Sequence, residues 1–337
     1  MPPARFSRTM SDMSRQVNKK ELAQKSLFAC VEGGGQSWLV LVSEGIHPPK
    51  EIDSCRFYTT EEIDGKTVAR KAEDVINDCV RWLKVFETRH GKLTSIGIVS
   101  FGPTDLNPKS SSRTFGYITT TPKEGWQNTD VVGPFSRAFK GTPVGFDTDV
   151  NMVAVSEYTY GGDYIGSDGR DSYPGNCKFH CLDKDGKPLP YPCVEGMANS
   201  DAIADRLQID KKQLKDVKDD HPIWDLEAYY LAQLCISITF LTSPEVIVIG
   251  GGIMNREILF PKIREQFKML LGGYFKNAQY NKDIDSYITR SKFDAVEGHV
   301  HAGVMGGLEL ARRMWELSDK YILAKQKREI ERLQEKL

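Results

Sequence analysis

The chain has 337 residues, enough for about two domains at the usual ~100–200 residues each. Apolar residues make up 40% of it, so sizeable cores can form, and a net charge of −1 offers no overall field to gather nucleic acid or a membrane surface. No apolar run approaches the ~20 residues that a membrane span needs.

Residues 1–25 read as a flexible basic tail, with Arg5, Arg8, Arg15, Lys19 and Lys20 against Asp12 and with Ser7, Ser11 and Ser14 between them. The same composition resembles an organellar transit peptide. A cytoplasmic location is the first expectation and a mitochondrial one the alternative. Cys30, Cys79 and Cys235 lie inside apolar runs and are predicted to be buried thiols. The seven cysteines form no disulfide framework, which suits a reducing compartment.

An apolar run at 27–31 leads into Glu32, Gly33, Gly34, Gly35, Gln36 and Ser37, and a second run begins at Trp38. Glycines without a Cβ let a backbone approach a phosphate closely. Such loops usually carry a lysine or a hydroxyl as well. The spacing next predicts a helix over 67–90, stopped by Gly91, and a buried strand from Ser95 ending near Pro103. Residues 104–142 are a turn-rich excursion. A short strand over 143–150 runs into acids, and a helix opens at Asn151 and stops at Gly161 and Gly162.

Residues 163–192 read as loops. Helical pattern resumes after Cys193 and again over 223–242. The run EVIVIGGG is a parallel-type strand ending at Gly250, Gly251 and Gly252, with a helix over 254–271 directly behind it. A strand–GGG–helix turn can face a nucleotide, since helix N-termini favour anions, or can be a packing turn. A last helix starts near His301 and has no breaker after Gly307.

FDTDVN places Asp147, Asp149 and Asn151 where a strand opens into a helix. A carboxylate there can take a proton from a substrate hydroxyl during phosphoryl transfer. It can equally cap the helix, and the residues alone leave both readings open.

The order SFGPTDLN, TFGYITTTPKEGW, TDVN, CVEGMA, PEVIVIGGGIM, HAGVMGGLELA resembles the ROK family of sugar kinases, most closely its bacterial-type fructokinases, from about Phe28 to Met314. The resemblance implies an α/β actin-like ATPase (ribonuclease H-like) fold of two domains, 26–150 and 151–314, with ATP, Mg²⁺ and sugar in the cleft between them. It implies Asp149 as the general base and Asn151 and Asn128 as sugar contacts. Gly33, Gly34 and Gly35 match the first phosphate loop, and Gly250, Gly251 and Gly252 the turn near the adenosine. It also implies a structural Zn²⁺ on Cys177, His180 and Cys193, with Cys181 as a substitute ligand; C-x-x-H spacing suits tetrahedral zinc.

The chain departs from the family pattern in four places. Gln36 stands where the family has Thr, and Ser37 where it has Lys. Between Gly162 and Cys177 there is neither Gly-x-Gly nor His, so the second phosphate loop and the sugar-holding Glu and His are expected to be missing. With them would go strands of the second domain's sheet, and the uncovered edge would attract another chain. The insertion LDKDGKPLPYP displaces Cys193. Past Met314 a charged helix over 315–337 carries Trp315, Ile322, Ile330, Leu333 and Leu337 as a narrow apolar stripe, suited to docking another protein.

These features predict a fructokinase-like pseudokinase with a structural or interaction role, binding protein partners through that helix and the open edge or pairing as a homodimer. The alternative is an active ATP-dependent fructokinase with Asp149 as its base.

Overall fold

The structure is a computed structural model and describes residues 26–46, 48–109, 111–121, 123–161, 194–274, 283–293 and 301–318. Two compact units divide the chain: residues up to Ser156 together with those from Val300 onward form the first, and Glu157–His299 the second.

The first unit is built on a five-stranded sheet of order β3-β2-β1-β6-β9. β1 (Leu27–Gly33), β2 (Ser37–Glu44) and β3 (Lys50–Tyr58) form an antiparallel meander, and β6 (Ser95–Ser100) and β9 (Val144–Thr148) extend it in parallel. β6 is buried along its whole length, as a parallel strand covered on both faces must be. β3 lies at the edge and alternates between exposed and half-buried residues.

Period-2 alternation sorts the two faces. Ala29, Val31, Ile96 and Ile98 join the larger core with α1 (Ala72–His90), whose Val75, Ile76, Cys79, Leu83 and Phe86 are buried. The residues between them meet α9 (Ala302–Glu316) on the other face. Phe28 meets Trp315 edge-on at 5.8 Å between ring centroids, and Ser95 Oγ donates to the Ala311 carbonyl at 2.5 Å. A Cβ on Gly97 would overlap the Gly307 carbonyl, and one on Gly307 would overlap the Cys30 sulfur. The glycines of HAGVMGG therefore let a helix lie directly on the sheet.

This placement differs from the sequence reading, which put residues 151–314 in the second domain. α9 belongs to the first unit, because its Gly307 lies against Gly97 of β6 and Cys30 of β1, and its Leu310 and Met314 fill the space over Gly145 of β9. Trp315, read as the head of a docking stripe, is buried in that unit. Residues 319–337, with the rest of the stripe, lie outside the described residues.

Short elements refine the reading elsewhere. Residues 60–63 and 66–69 form a hairpin, β4 (Thr60–Ile63) with β5 (Lys66–Ala69), so α1 opens only at Ala72. The excursion over 104–142 holds β7 (Tyr117–Ile118), β8 (Thr129–Asp130) and α2 (Val132–Ala138). After β9 come α3 (Asp149–Ser156) and a π-helical turn over Glu157–Gly161.

The second unit packs α6 (Ile223–Thr242) against α7 (Leu259–Leu271), after the short α4 (Val194–Met197) and α5 (Ser200–Leu207). Its core includes Trp224, Phe267 and Tyr287, and the Tyr287 hydroxyl meets Thr239 Oγ1 at 2.8 Å. Among the described residues its sheet is one parallel pair, β10 (Ile247–Ile249) with β11 (Ile288–Arg290), the latter preceded by α8 (Ile284–Tyr287). The helix expected over 254–271 splits into a 3₁₀ turn at Gly252–Asn255 and α7. Cys30, Cys79 and Cys235 are free and buried, as their apolar settings predict. No helix among the described residues is long and apolar enough to cross a membrane.

Candidate functional site

The glycine turn joins β1 to β2. It is closed by Gly34 N–H donating to the Ser37 carbonyl at 2.9 Å. From the flank, Thr59 Oγ1 donates to the carbonyls of Gly35 and Gln36, both at 3.0 Å. Arg56 Nη1 donates to Ser37 Oγ at 2.8 Å. A Cβ on Gly33 would stand 2.7 Å from the Trp38 indole, which is fully buried and stacked on Trp126 at 5.2 Å. One on Gly35 would stand 2.7 Å from Lys123 Nζ. The ammonium of Lys123 itself lies over the Phe101 ring, 3.5 Å from the centroid. The turn edges an open cavity of about 340 Å³ lined by Glu32, Gly34, Gly35, Gln36, Ser37, Arg56 and His301.

Parallel pairing sets Glu32 beside Val99 and Val99 beside Asp147, so the carboxyl-bearing ends of β1 and β9 share one end of the sheet. Glu32 also reaches the first turn of α9: a Cβ on Gly303 would overlap its carboxylate, and His301 Nε2 stands 3.6 Å from Glu32 Oε2. Burial pushes the Glu32 carboxyl up, while His301 and Arg56 pull it down and Asp149 pushes it further up.

At the end of β9 the local hydrogen bonds separate the two roles open to Asp149. Thr148 Oγ1 accepts from Asn151 N–H at 3.2 Å, the spacing of an N-cap. Asp149 Oδ1 accepts from the adjacent Val150 N–H at 2.9 Å, not from a donor one turn on. Thr148 therefore caps α3, and Asp149 is released from that duty. Burial raises the Asp149 pKa above the ordinary carboxylate value, opposed by the Val150 N–H and the charge of Lys123. Asn151 Nδ2 donates to Asp147 Oδ1 at 2.8 Å, which fixes the amide beside the carboxylate. Lys123 acts on Asp149, and Asp149 on Glu32, so the glycine turn and the end of β9 form one electrostatic neighbourhood.

The other expected residues lie apart. Asn128 is exposed at a left-handed turn before β8, with φ +54°, a conformation that asparagine tolerates better than most residues. Gly250, Gly251 and Gly252 belong to the second unit, where Gly251 has φ +107°. Cys177, His180, Cys181 and Cys193 lie outside the described residues, and no cluster of metal-ligating side chains occurs among those described.

Sequence reasoning missed Arg56, Lys123, Thr148 and His301. A capping Thr immediately before Asp149 was readable. Arg56 could be placed only by the β2–β3 register.

The sequence profile of the ROK family matches residues 53–165 and 190–313. The fructokinase of Streptococcus mutans serotype c is 30% identical over 326 residues, 86% of this chain and 98% of the relative. That of Zymomonas mobilis subsp. mobilis is 30% identical over 288 residues, 77% and 91%. Among solved structures, a ROK hexokinase from Thermus thermophilus superposes with a TM-score of 0.58 at 17% identity, over 89% of this chain and 99% of that one. A ROK family glucokinase from Streptomyces griseus, solved with glucose and AMPPNP, gives 0.60 at 16% identity, over 86% and 100%. These neighbours carry the actin-like ATPase fold, which the sheet order and helix placement reproduce. The chain belongs to the ROK family, has that fold, and within the family is similar to the fructokinases.

Proposed function

We propose that this chain is a fructokinase-like ROK protein in which transfer of phosphate from ATP to fructose is strongly reduced, leaving a body that serves chiefly in binding and assembly. The observation that carries this reading is the glycine turn. It keeps its hairpin but presents Gln36 and Ser37, neither of which is a cation. Phosphoryl transfer rests almost wholly on positioning and charge neutralisation. One lost charge-assisted contact costs ~1.5–3 kcal/mol. The family profile also leaves 166–189 unmatched, the stretch in which the second phosphate loop is missing from the sequence.

The groups that remain fit a sugar and a nucleotide in part. Gly34 and Gly35 would face the phosphates beside Arg56 and Lys123. ATP with Mg²⁺ would supply the phosphoryl group. Asp149 would accept the proton of the attacking hydroxyl, and Asn151, held by Asp147, would orient the sugar. Zinc on Cys177, His180, Cys181 and Cys193 stays a proposal from the sequence. So does an assembly role for residues 319–337, for an open sheet edge or for a homodimer.

One observation favours the alternative of an active ATP-dependent fructokinase. Thr148 caps α3, so the half-buried Asp149 carboxylate keeps the position of a base.

A coupled assay of fructose phosphorylation with the folded full chain and Asp149→Asn separates the two. The proposal expects indistinguishable, near-background rates. Turnover that falls ~10²–10⁴-fold in the variant, the usual contribution of a general base, would overturn it.

A further inference from the structure

The cavity beside the glycine turn contains a cation that the turn's own sequence lacks. β3 runs antiparallel to β2 with Tyr58 opposite Ser37 and Arg56 opposite Leu39. Ser37 and Arg56 are thus diagonal neighbours across the pair, within reach of a long side chain. Arg56 Nη1 donates to Ser37 Oγ at 2.8 Å, and the residue lines the cavity with Gly34, Gly35 and Gln36. A guanidinium carries five N–H donors, and the Ser37 bond uses one.

We propose that Arg56 restores the missing charge of the glycine turn, and that the cavity binds the phosphate groups of a polyphosphate chain, with Arg56 as the main cation and Lys123 as a second one at the Gly35 edge. The inference rests on the reading of this turn as the phosphate side of a fructokinase-like fold. It deepens that reading: phosphate binding is kept where transfer is reduced.

Three features fit. The Arg56 guanidinium suits phosphate oxygens, which its planar fork can engage in pairs. Lys123 reaches Gly35, where any side chain would displace its ammonium. Burial pushes the Glu32 carboxyl, which lines the same cavity 3.6 Å from the His301 imidazole, toward its neutral form. The cation also comes from a strand that follows the turn by about twenty residues, so no motif within the turn reveals it.

The test is titration calorimetry of the folded full chain with ATP, ADP, AMP and inorganic tripolyphosphate. It compares the natural chain with Arg56→Gln, Ser37→Ala and, as a control on an exposed helix residue, Arg89→Gln. The expected result is that Arg56→Gln weakens ATP binding ~10-fold or more while its melting temperature holds. Arg89→Gln should stay within ~2-fold of the natural chain, and Ser37→Ala should weaken binding clearly less than Arg56→Gln does. Tripolyphosphate binding as tight as ATP would identify the bare phosphate chain as the ligand, and much weaker tripolyphosphate binding would identify the nucleotide; both support the site if Arg56→Gln weakens them.

The proposal is overturned if the natural chain binds neither ligand, if Arg56→Gln binds as well as the natural chain, or if Ser37→Ala loses as much as Arg56→Gln. The last outcome would make Arg56 a pin for the turn. Because Arg56→Gln could misfold, a second measurement uses the natural chain alone: phenylglyoxal modification of Arg56, read by mass spectrometry. ATP or tripolyphosphate should protect Arg56, and unchanged modification counts against the site. Fructose is absent throughout, so the outcome of the kinase assay does not decide this one.

Discussion

The chain has two runs of three glycines, one in each unit, and they are glycine for different reasons. At 33–35 the space for a Cβ is already taken, by the Trp38 indole at Gly33 and by the Lys123 ammonium at Gly35. At 250–252 the reason is the backbone: Gly251 has φ +107°, while no described atom lies within 4 Å of a Cβ placed on Gly251 or Gly252. The buried carboxylates differ in the same way. Glu309 of the first unit is fully buried and paired with Arg312 and Arg313 from its own helix. Glu227 of the second unit is buried too, yet neither of its oxygens has a hydrogen-bond partner among the described residues. Gly33, Gly35 and Glu309 are thus set by packing and by ion pairs in the first unit, whereas in the second Gly251 is set by backbone conformation and Glu227 is a carboxyl group that burial favours as neutral.

The largest effect that could break this contrast is a pH dependence. Burial pushes the Glu227 carboxyl up to about 7, against only partial relief from Arg206. Its folded pKa is above its unfolded value, so the folded state holds the proton more tightly. The contribution of this group is fully present below about pH 4.5 and is lost as pH rises through about 7, a change of about 3 kcal/mol. Urea unfolding between pH 4.5 and 8 should show the natural chain losing stability relative to Glu227→Gln by that order. Parallel curves would mean that Glu227 is paired and that the contrast fails.

Gly33→Ala comes next. It forces a methyl group against a buried, stacked indole and should cost about 2 kcal/mol, with a changed Trp fluorescence. Gly251→Ala should cost about 1 kcal/mol through backbone strain alone, and leave that fluorescence untouched. Gly252→Ala has neither a neighbour nor a positive φ against it and should stay within about 0.5 kcal/mol. If Gly252→Ala cost more than Gly33→Ala, packing and backbone would have been assigned to the wrong turns.

Much of the first unit was legible because its signals are local. Cys30 and Cys79 sit in apolar runs and are buried, and the all-apolar β6 is a covered parallel strand. The edges of elements were harder. Thr67 and Val68 continue the helical pattern of α1, yet they pair back onto Glu61 and Glu62 in a hairpin. The pattern could not see that competing partner. The cap of α3 misled for another reason: Asp149 and Thr148 are both good capping residues, and only the Thr148 hydrogen bond to Asn151 N–H decides between them.

The sequence by itself determined the family, the strands on either side of the glycine turns and the main helices, and the position of Asp149 at the end of a strand, because motif order and hydrophobic period are properties of neighbours along the chain. Tertiary structure alone decided that α9 closes the first unit, that Trp315 is core, and that Arg56 and Lys123 stand at the glycine turn. Those facts depend on strand register and on which small residues meet across a helix–sheet contact. Both are set between segments as far apart as β6 and α9, and no local window of sequence contains them.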